Sequence, residues 1–359
     1  MKGLTFDDVL IIPQFSDVSS RKDVDLSFNG ANYPYMSLPI ISANMDTVTG
    51  PEMAKAMLLN GGTGCLHRFC TIDENVKMLE ESLLYATGES VRYPFVSIGL
   101  GNNELDRAYA LFNAGAWTFV IDVAHGAQME VVKQVKRLRN IINDNGAIIV
   151  GNFAGSSSVS NFLFYLGNTR IDGIKVGIGP GSACTTRVKT GVGYPQINAI
   201  WEIAHETQIP IIADGGMKAS GDIAKAFAAG ASMAMLGSLL AGTEEAPGEI
   251  VYTSIADARE FDGLDLVGQK TAFKKYRGSA SKESYESQGK NAAHRTAEGE
   301  SFMVPYKGPV KEVLQDIEGG LRSAFTYVGA RNLKEFQEKA KFVEITNAGY
   351  SEGLPHGKK

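Results

Sequence analysis

At 359 residues, with 44% hydrophobic and 21% charged side chains, the chain has an ordinary globular composition; global disorder and fibrous architecture are excluded, and one large domain or two ordinary ones fit the length. Lys and Arg total 35 against 40 Asp and Glu, a formal net charge of −5 with a pI near 5.7, so the broad basic surface that a nucleic-acid partner demands is missing. Three cysteines without zinc-type spacing, an acidic Asp7-Asp8 opening and apolar runs no longer than Ala147–Val150 argue against a disulfide framework, a signal peptide and a membrane span, and predict a reducing, cytoplasmic setting.

Short β-branched runs recur from residue 39 to 240, each followed by helical periodicity. Eight strands are predicted: Pro39–Met45, Gly62–His67, Pro94–Gly99, Trp117–Val123, Ala147–Asn152, Gly173–Ile178, Ile209–Asp214 and Met233–Ser238. Their starts lie 23 to 36 residues apart, the length of one strand plus one crossover helix. Strands that are apolar nearly throughout belong in a parallel sheet covered on both faces. Eight such units match a closed (β/α)8 TIM barrel, with a doubly wound sheet as the alternative. Polar and glycine-rich residues gather at the C-terminal ends of the runs, where barrel enzymes carry their sites, and this favours the barrel. Residues 250–305 break the rhythm. Their polar stretch, Lys274 to Met303, carries ten charged residues and is expected to be a mobile lid after strand eight. Helices are predicted at Val310–Leu321 and Leu333–Ala340, followed by a tail, 341–359, whose end from Tyr350 frays unless a neighbouring subunit orders it. The whole chain, 1–359, is expected to form one barrel domain.

The most informative segment, Lys175-Val176-Gly177-Ile178-Gly179-Pro180-Gly181-Ser182-Ala183-Cys184-Thr185-Thr186-Arg187, ends the sixth predicted strand. Its glycines let the backbone approach a ligand, and Ser182 offers a hydroxyl to an oxyanion. Arg187 and a following helix start favour a Cys184 thiolate, which makes Cys184 a candidate nucleophile; an inert thiol in a small-residue turn is the alternative. Asp214-Gly215-Gly216 and Gly237-Ser238 end strands seven and eight, the usual phosphate grip of a barrel, although either could be a plain strand-ending turn. Asp214 suits a ribose diol. Asp122 and Asn152 end strands four and five and converge on the same mouth, while His125 taken alone is no catalyst.

The segment Gly177 through Arg187, together with Asp214-Gly215-Gly216, Met235-Leu236-Gly237-Ser238 and Phe6-Asp7-Asp8-Val9-Leu10, resembles the IMP dehydrogenase and GMP reductase family over essentially the whole chain. The resemblance implies a purine nucleoside monophosphate held by its phosphate, a covalent bond from Cys184 to C2 of the base, a nicotinamide cofactor, and a homotetramer or a pair of tetramers. Between the two branches, the lid favours the reductase: no Arg-Tyr dipeptide occurs between Tyr276 and Pro305, and Ala293-His294-Arg295-Thr296-Ala297-Glu298-Gly299 resembles the reductase pattern. Thr185–Gln196 and Thr326-Tyr327-Val328-Gly329-Ala330 are also similar to reductases. There is no room between Cys70 and Tyr93 for the tandem CBS regulatory module that dehydrogenases usually insert. Leu236–Glu245 and Ala348–His356 instead resemble dehydrogenases.

Carried onto this sequence, the resemblance implies NADPH-dependent reductive deamination of GMP to IMP. Cys184, Thr186 and Glu298 are then catalytic, with Ser182, Gly216, Gly237 and Ser238 at the phosphate, Asp214 at the ribose, Arg295 at the base, Gly215, Tyr276 and Gly278 also on the substrate, and Asp122 and Asn152 near the nicotinamide. Carbonyls of Gly177, Gly179 and Cys184 are candidates for a potassium ion, since hard oxygens in a tight turn suit one. Where family members have a methionine against the purine, this chain has Ser279. An IMP dehydrogenase without the CBS module, with Arg295 and His294 activating water, and a non-catalytic nucleotide-binding protein are the alternatives.

Overall fold

The computed structural model describes residues 3–83, 93–254, 270–287 and 296–355. A short strand β1 (Val9–Ile11) precedes the barrel, which begins with β2 (Ile40–Ser42), α1 (Pro51–Leu59), β3 (Thr63–Leu66), α2 (Ile72–Ser82), β4 (Phe95–Ile98) and α3 (Asn102–Asn113). It continues with β5 (Thr118–Asp122), α4 (Met129–Ile142), β6 (Ala147–Phe153), α5 (Ser156–Leu166) and β7 (Gly173–Val176). Two helices, α6 (Thr186–Thr190) and α7 (Gln196–Glu206), lead to β8 (Ile211–Asp214), α8 (Ser220–Ala228) and β9 (Met233–Leu236). Strands β2 to β9 form a closed parallel barrel, with Ile41 of β2 opposite Thr63 of β3 on one side and Met235 of β9 on the other. All eight predicted strands are present, and the barrel rather than the open sheet is the architecture.

Alternation along each strand sorts two cores. Ile41, Cys65, Phe95, Val120, Ile149, Ile212, Met233 and Met235 pack inside the barrel. Their neighbours Ile40, Leu66, Val96, Phe119, Ile148, Val150, Ile211 and Ala234 pack outward against the helices, as a doubly covered parallel sheet demands. At the N-terminal end Tyr33 plugs the barrel: its hydroxyl donates to the Asp172 carbonyl at 2.7 Å, and a Cβ on Gly173 would lie 2.3 Å from that hydroxyl.

The polar stretch after β9, the flap, holds regular elements where the sequence showed only a polar lid. It contains β10 (Val251–Ser254), β11 (Lys270–Arg277), α9 (Lys282–Ser287) and β12 (Ser301–Pro305), and the three strands form an antiparallel sheet in the order β10-β11-β12. Such a sheet packs on the barrel through Tyr276 and Val304 and leaves its other face polar, so its strands read as charged sequence rather than apolar runs. The chain then enters α10 (Val310–Val328), longer than predicted, which stops at Gly329 in the left-handed conformation (φ 72°). It continues through α11 (Leu333–Lys339), β13 (Phe342–Glu344) and α12 (Asn347–Glu352). The tail is therefore partly ordered within this chain, since β13 pairs antiparallel with β1. Three-residue strands are too short for a period-two signal, which is why the sequence did not show them.

Candidate active site

The period-two pattern that fills the barrel with apolar side chains turns polar at its C-terminal end. Lys175 of β7 has Nζ 2.8 Å from Asp122 Oδ1 of β5 and 2.6 Å from Asp214 Oδ2 of β8, and it also donates to Asn152 Oδ1 of β6. The Asn152 amide in turn donates to Asp214 Oδ2 at 2.8 Å and to the Gly177 carbonyl at 2.6 Å. Burial works against the Lys175 charge, but Asp122 and Asp214 outweigh it and hold the ammonium above its ordinary pKa. Burial likewise opposes the Asp122 charge, and Lys175 more than compensates, leaving that carboxyl below its usual range. Lys175 received no role from the sequence. The signal was available: a lysine between Ile174 and Val176, on the strand position that faces the barrel interior.

The loop after β7 is built on backbone that only glycine adopts freely. Gly177 has φ +151°, and a Cβ there would lie 2.1 Å from the Asp214 carbonyl oxygen. Gly177→Ala is accordingly expected to cost roughly 1–3 kcal/mol of stability, read as a lower denaturant midpoint; an unchanged midpoint would refute this account of the loop. From there the chain folds so that Cys184 N–H donates to Gly181 O at 3.0 Å, and the flap segment zips onto it through Thr185 N–H to Glu298 O (2.9 Å) and Glu300 N–H to Ala183 O (2.9 Å). This places three side chains in a row: Cys184 Sγ lies 3.1 Å from Thr186 Oγ1, whose hydroxyl donates to Glu298 Oε2 at 2.7 Å. The other two thiols are unsuited to chemistry. Burial inside the barrel pushes Cys65 well up, and burial lifts Cys70 to about 11.

Two adjoining hollows open on this row. The larger, about 330 Å³, is lined by Cys184, Thr186, Glu298, Asp122, Asn152, Gly179, Gly278 and Ser279 among others. The smaller, about 80 Å³, is lined by Ser182, Gly216, Gly237 and Ser238, and both share Met45, Gly181, Asp214, Gly215 and Tyr276. Tyr276 roofs the junction. It is buried, its hydroxyl lies 3.8 Å from Met45 Sδ, and a Cβ on Gly237 would come within 2.9 Å of its oxygen. Burial pushes its phenol up. Arg277 ties the flap to the loop after β2 through a bidentate ion pair with Asp46 and a bond from its N–H to Thr47 Oγ1 at 3.1 Å.

The predicted site residues within the described part thus converge on one mouth. Arg295 and His294 lie outside the described residues, while His125 is exposed at the rim. Asn44, Met45, Arg68 and Phe69 also line the larger hollow, and the sequence reading missed them because single polar or apolar side chains at strand ends carry no pattern. The Asn44 amide is buried on the cleft wall, where it helps hold the Asp122 carboxyl below its usual range. The Gly177 carbonyl receives the Asn152 amide proton and keeps its second lone pair, which together with the carbonyls of Gly179 and Cys184 could hold a monovalent cation such as potassium.

Residues 3–356 match the family model described as the IMP dehydrogenase / GMP reductase domain. The chain is similar to GMP reductase 1 of Mus musculus, with 38% identity over 352 residues, 96% of this chain and 95% of that protein. It is also similar to the inosine-5'-monophosphate dehydrogenase of Cryptosporidium parvum, with 35% identity over 402 residues covering 99% and 95%. Among solved structures, a GMP reductase from Trypanosoma brucei in complex with guanosine 5'-monophosphate covers 100% of this chain and 98% of its own, with a TM-score of 0.87 at 29% identity. A closed barrel bearing a cysteine loop at its C-terminal mouth, matched along nearly its full length, means that the chain belongs to the IMP dehydrogenase and GMP reductase family of oxidoreductases.

Proposed function

We propose that this chain is a GMP reductase, converting GMP to IMP and ammonia at the expense of NADPH. The observation that carries the reading is the continuous hydrogen-bonded row Cys184–Thr186–Glu298, standing beside a small pocket lined by glycines and serines. The pocket takes the phosphate, Asp214 the ribose, and the larger hollow sets the purine against Cys184.

Cys184 Sγ adds to C2 of guanine, forming a C–S bond, while its proton passes through the Thr186 hydroxyl to Glu298. The C2–N2 bond then breaks. An amide anion is a very poor leaving group, so the same relay returns the proton and the amine departs as ammonia. When bound, the nicotinamide supplies the hydride that ends on C2 as the C–S bond breaks. Asn44, Asp122 and Asn152 line the larger hollow beside Cys184 and would hold the carboxamide end of such a group. Cys184 leaves as the thiolate and IMP is released.

The reading is tested by following reduced-nicotinamide absorbance with GMP plus NADPH and, separately, with IMP plus NAD. Loss of absorbance in the first, with IMP and ammonia as products, is expected. A rise in the second with none in the first would make the protein an IMP dehydrogenase, and binding without turnover in either would leave a nucleotide-binding protein. Glu298→Gln keeps the shape of the relay but removes its base; kcat should fall roughly 10²–10³-fold with GMP affinity changed little. An equal loss in affinity would make Glu298 a binding group instead. A homotetramer, or two tetramers paired, belongs to the same reading and is checked by light scattering.

A further inference from the structure

The small pocket has an electrostatic shortfall. None of the residues lining it is a Lys, Arg or His, and one, Asp214, is an acid, yet the proposed ligand would place a phosphate dianion there. Backbone N–H groups and two serine hydroxyls supply donors but no net charge. A cation stands behind the wall. Lys307, two residues after β12, directs Nζ to the carbonyl oxygens of Ser238 at 2.7 Å and Leu239 at 3.1 Å, so Ser238 lines the pocket with one side and binds Lys307 with its carbonyl.

The chain around this contact is held in register. Lys307 N–H donates to Gly242 O at 2.9 Å and Glu244 N–H to Gly308 O at 2.8 Å, and a second flap lysine, Lys274, caps Glu244 O and Ala246 O farther along. Among the described residues, Lys307 has no carboxylate partner. Its half-buried ammonium meets only carbonyl dipoles, and burial alone lowers its pKa. A buried cation with no counter-ion is costly unless a ligand provides one.

We propose that Lys307 is a positioning residue for the nucleotide phosphate: it braces the Gly237–Ser238 turn from behind and supplies the positive charge that the pocket wall lacks. The inference rests on the nucleoside monophosphate reading of the site. It also couples that pocket to the flap sheet, because Lys307 follows β12, and Glu298 and Glu300, which bind the cysteine loop, precede it.

The test compares binding of GMP and guanosine to the full-length protein by titration calorimetry. Lys307→Met is expected to weaken GMP about 10–100-fold and guanosine less than about threefold. Lys307→Arg, which keeps the charge and the donors, should restore most of the GMP affinity. In turnover the loss should fall on KM for GMP far more than on kcat. Equal weakening of GMP and guanosine, or no weakening of either, would overturn the proposal. Should Lys307→Met fail to fold, Lys307→Gln takes its place, since it keeps an N–H donor for the carbonyls without the charge. Failure of the wild-type protein to bind GMP would instead overturn the assigned function, and this inference with it; wild-type binding with an unaffected variant would overturn this inference alone.

Discussion

Cys184→Ala is expected to lower kcat for GMP by on the order of 10⁴-fold or more while the protein still folds and still binds the nucleotide. The magnitude follows from the lack of a substitute. Cys65 lies in the barrel interior, fully buried, and Cys70 is held to about 11 by burial, so neither offers a thiolate near neutral pH. Ser182 lines only the smaller of the two hollows, away from the Thr186–Glu298 relay. Removing Sγ leaves the relay with a proton to move and no C–S bond to make, so chemistry is lost before binding is. Ammonia release measured beside GMP-induced thermal stabilisation separates the two effects. Residual turnover within tenfold of wild type would mean that the reaction does not pass through this thiol.

Lys175→Met should produce the largest loss of stability among single substitutions at the mouth, about 3–5 kcal/mol. The ammonium, with its side chain 2% exposed, is the shared partner of Asp122 and Asp214, and its removal strands two largely buried carboxylates. The pH dependence gives the cause away. In the wild-type protein Asp122 is held below its unfolded value, so its contribution is present above an unfolded pKa of about 3.9 and disappears as pH falls through the folded one. In Lys175→Met burial of Asp122 is opposed only by the weaker influences of Arg68 and Asn44, its carboxyl rises, and the folded state takes up protons more readily than the unfolded state. The variant therefore gains stability as the medium is made moderately acidic, and its deficit narrows. Urea unfolding at neutral and mildly acidic pH checks this; a deficit independent of pH would point to lost packing instead of stranded charge.

Several features were legible because they depend on neighbours along the chain. The eight barrel strands announce themselves by apolar runs at βα spacing, and the cysteine loop by glycines, among them Gly177, that permit conformations other residues avoid. Cys184 and the glycines of the strand-ending turns could be singled out on those grounds alone. The flap sheet could not, since β11 and β12 pair across an intervening segment and bury only one face, leaving a polar sequence. Lys175 was passed over because a lone lysine acquires meaning only when Asp122 and Asp214, on other strands, are seen to meet it. Lys307 was invisible for the same reason: its partners are two carbonyl oxygens some seventy positions earlier.

Local periodicity and backbone permission are properties of short segments, so the sequence by itself determined the barrel, the strand order along the chain and the glycine turns, and it singled out Cys184 as the candidate nucleophile. Which charges neutralise one another, how the flap closes over the cysteine loop, and that Glu298 reaches Thr186 across 112 residues were decided only by the tertiary structure. Electrostatic and hydrogen-bond energies depend on distances through space, and closing the barrel brings the ends of its strands to one mouth whatever their separation along the chain.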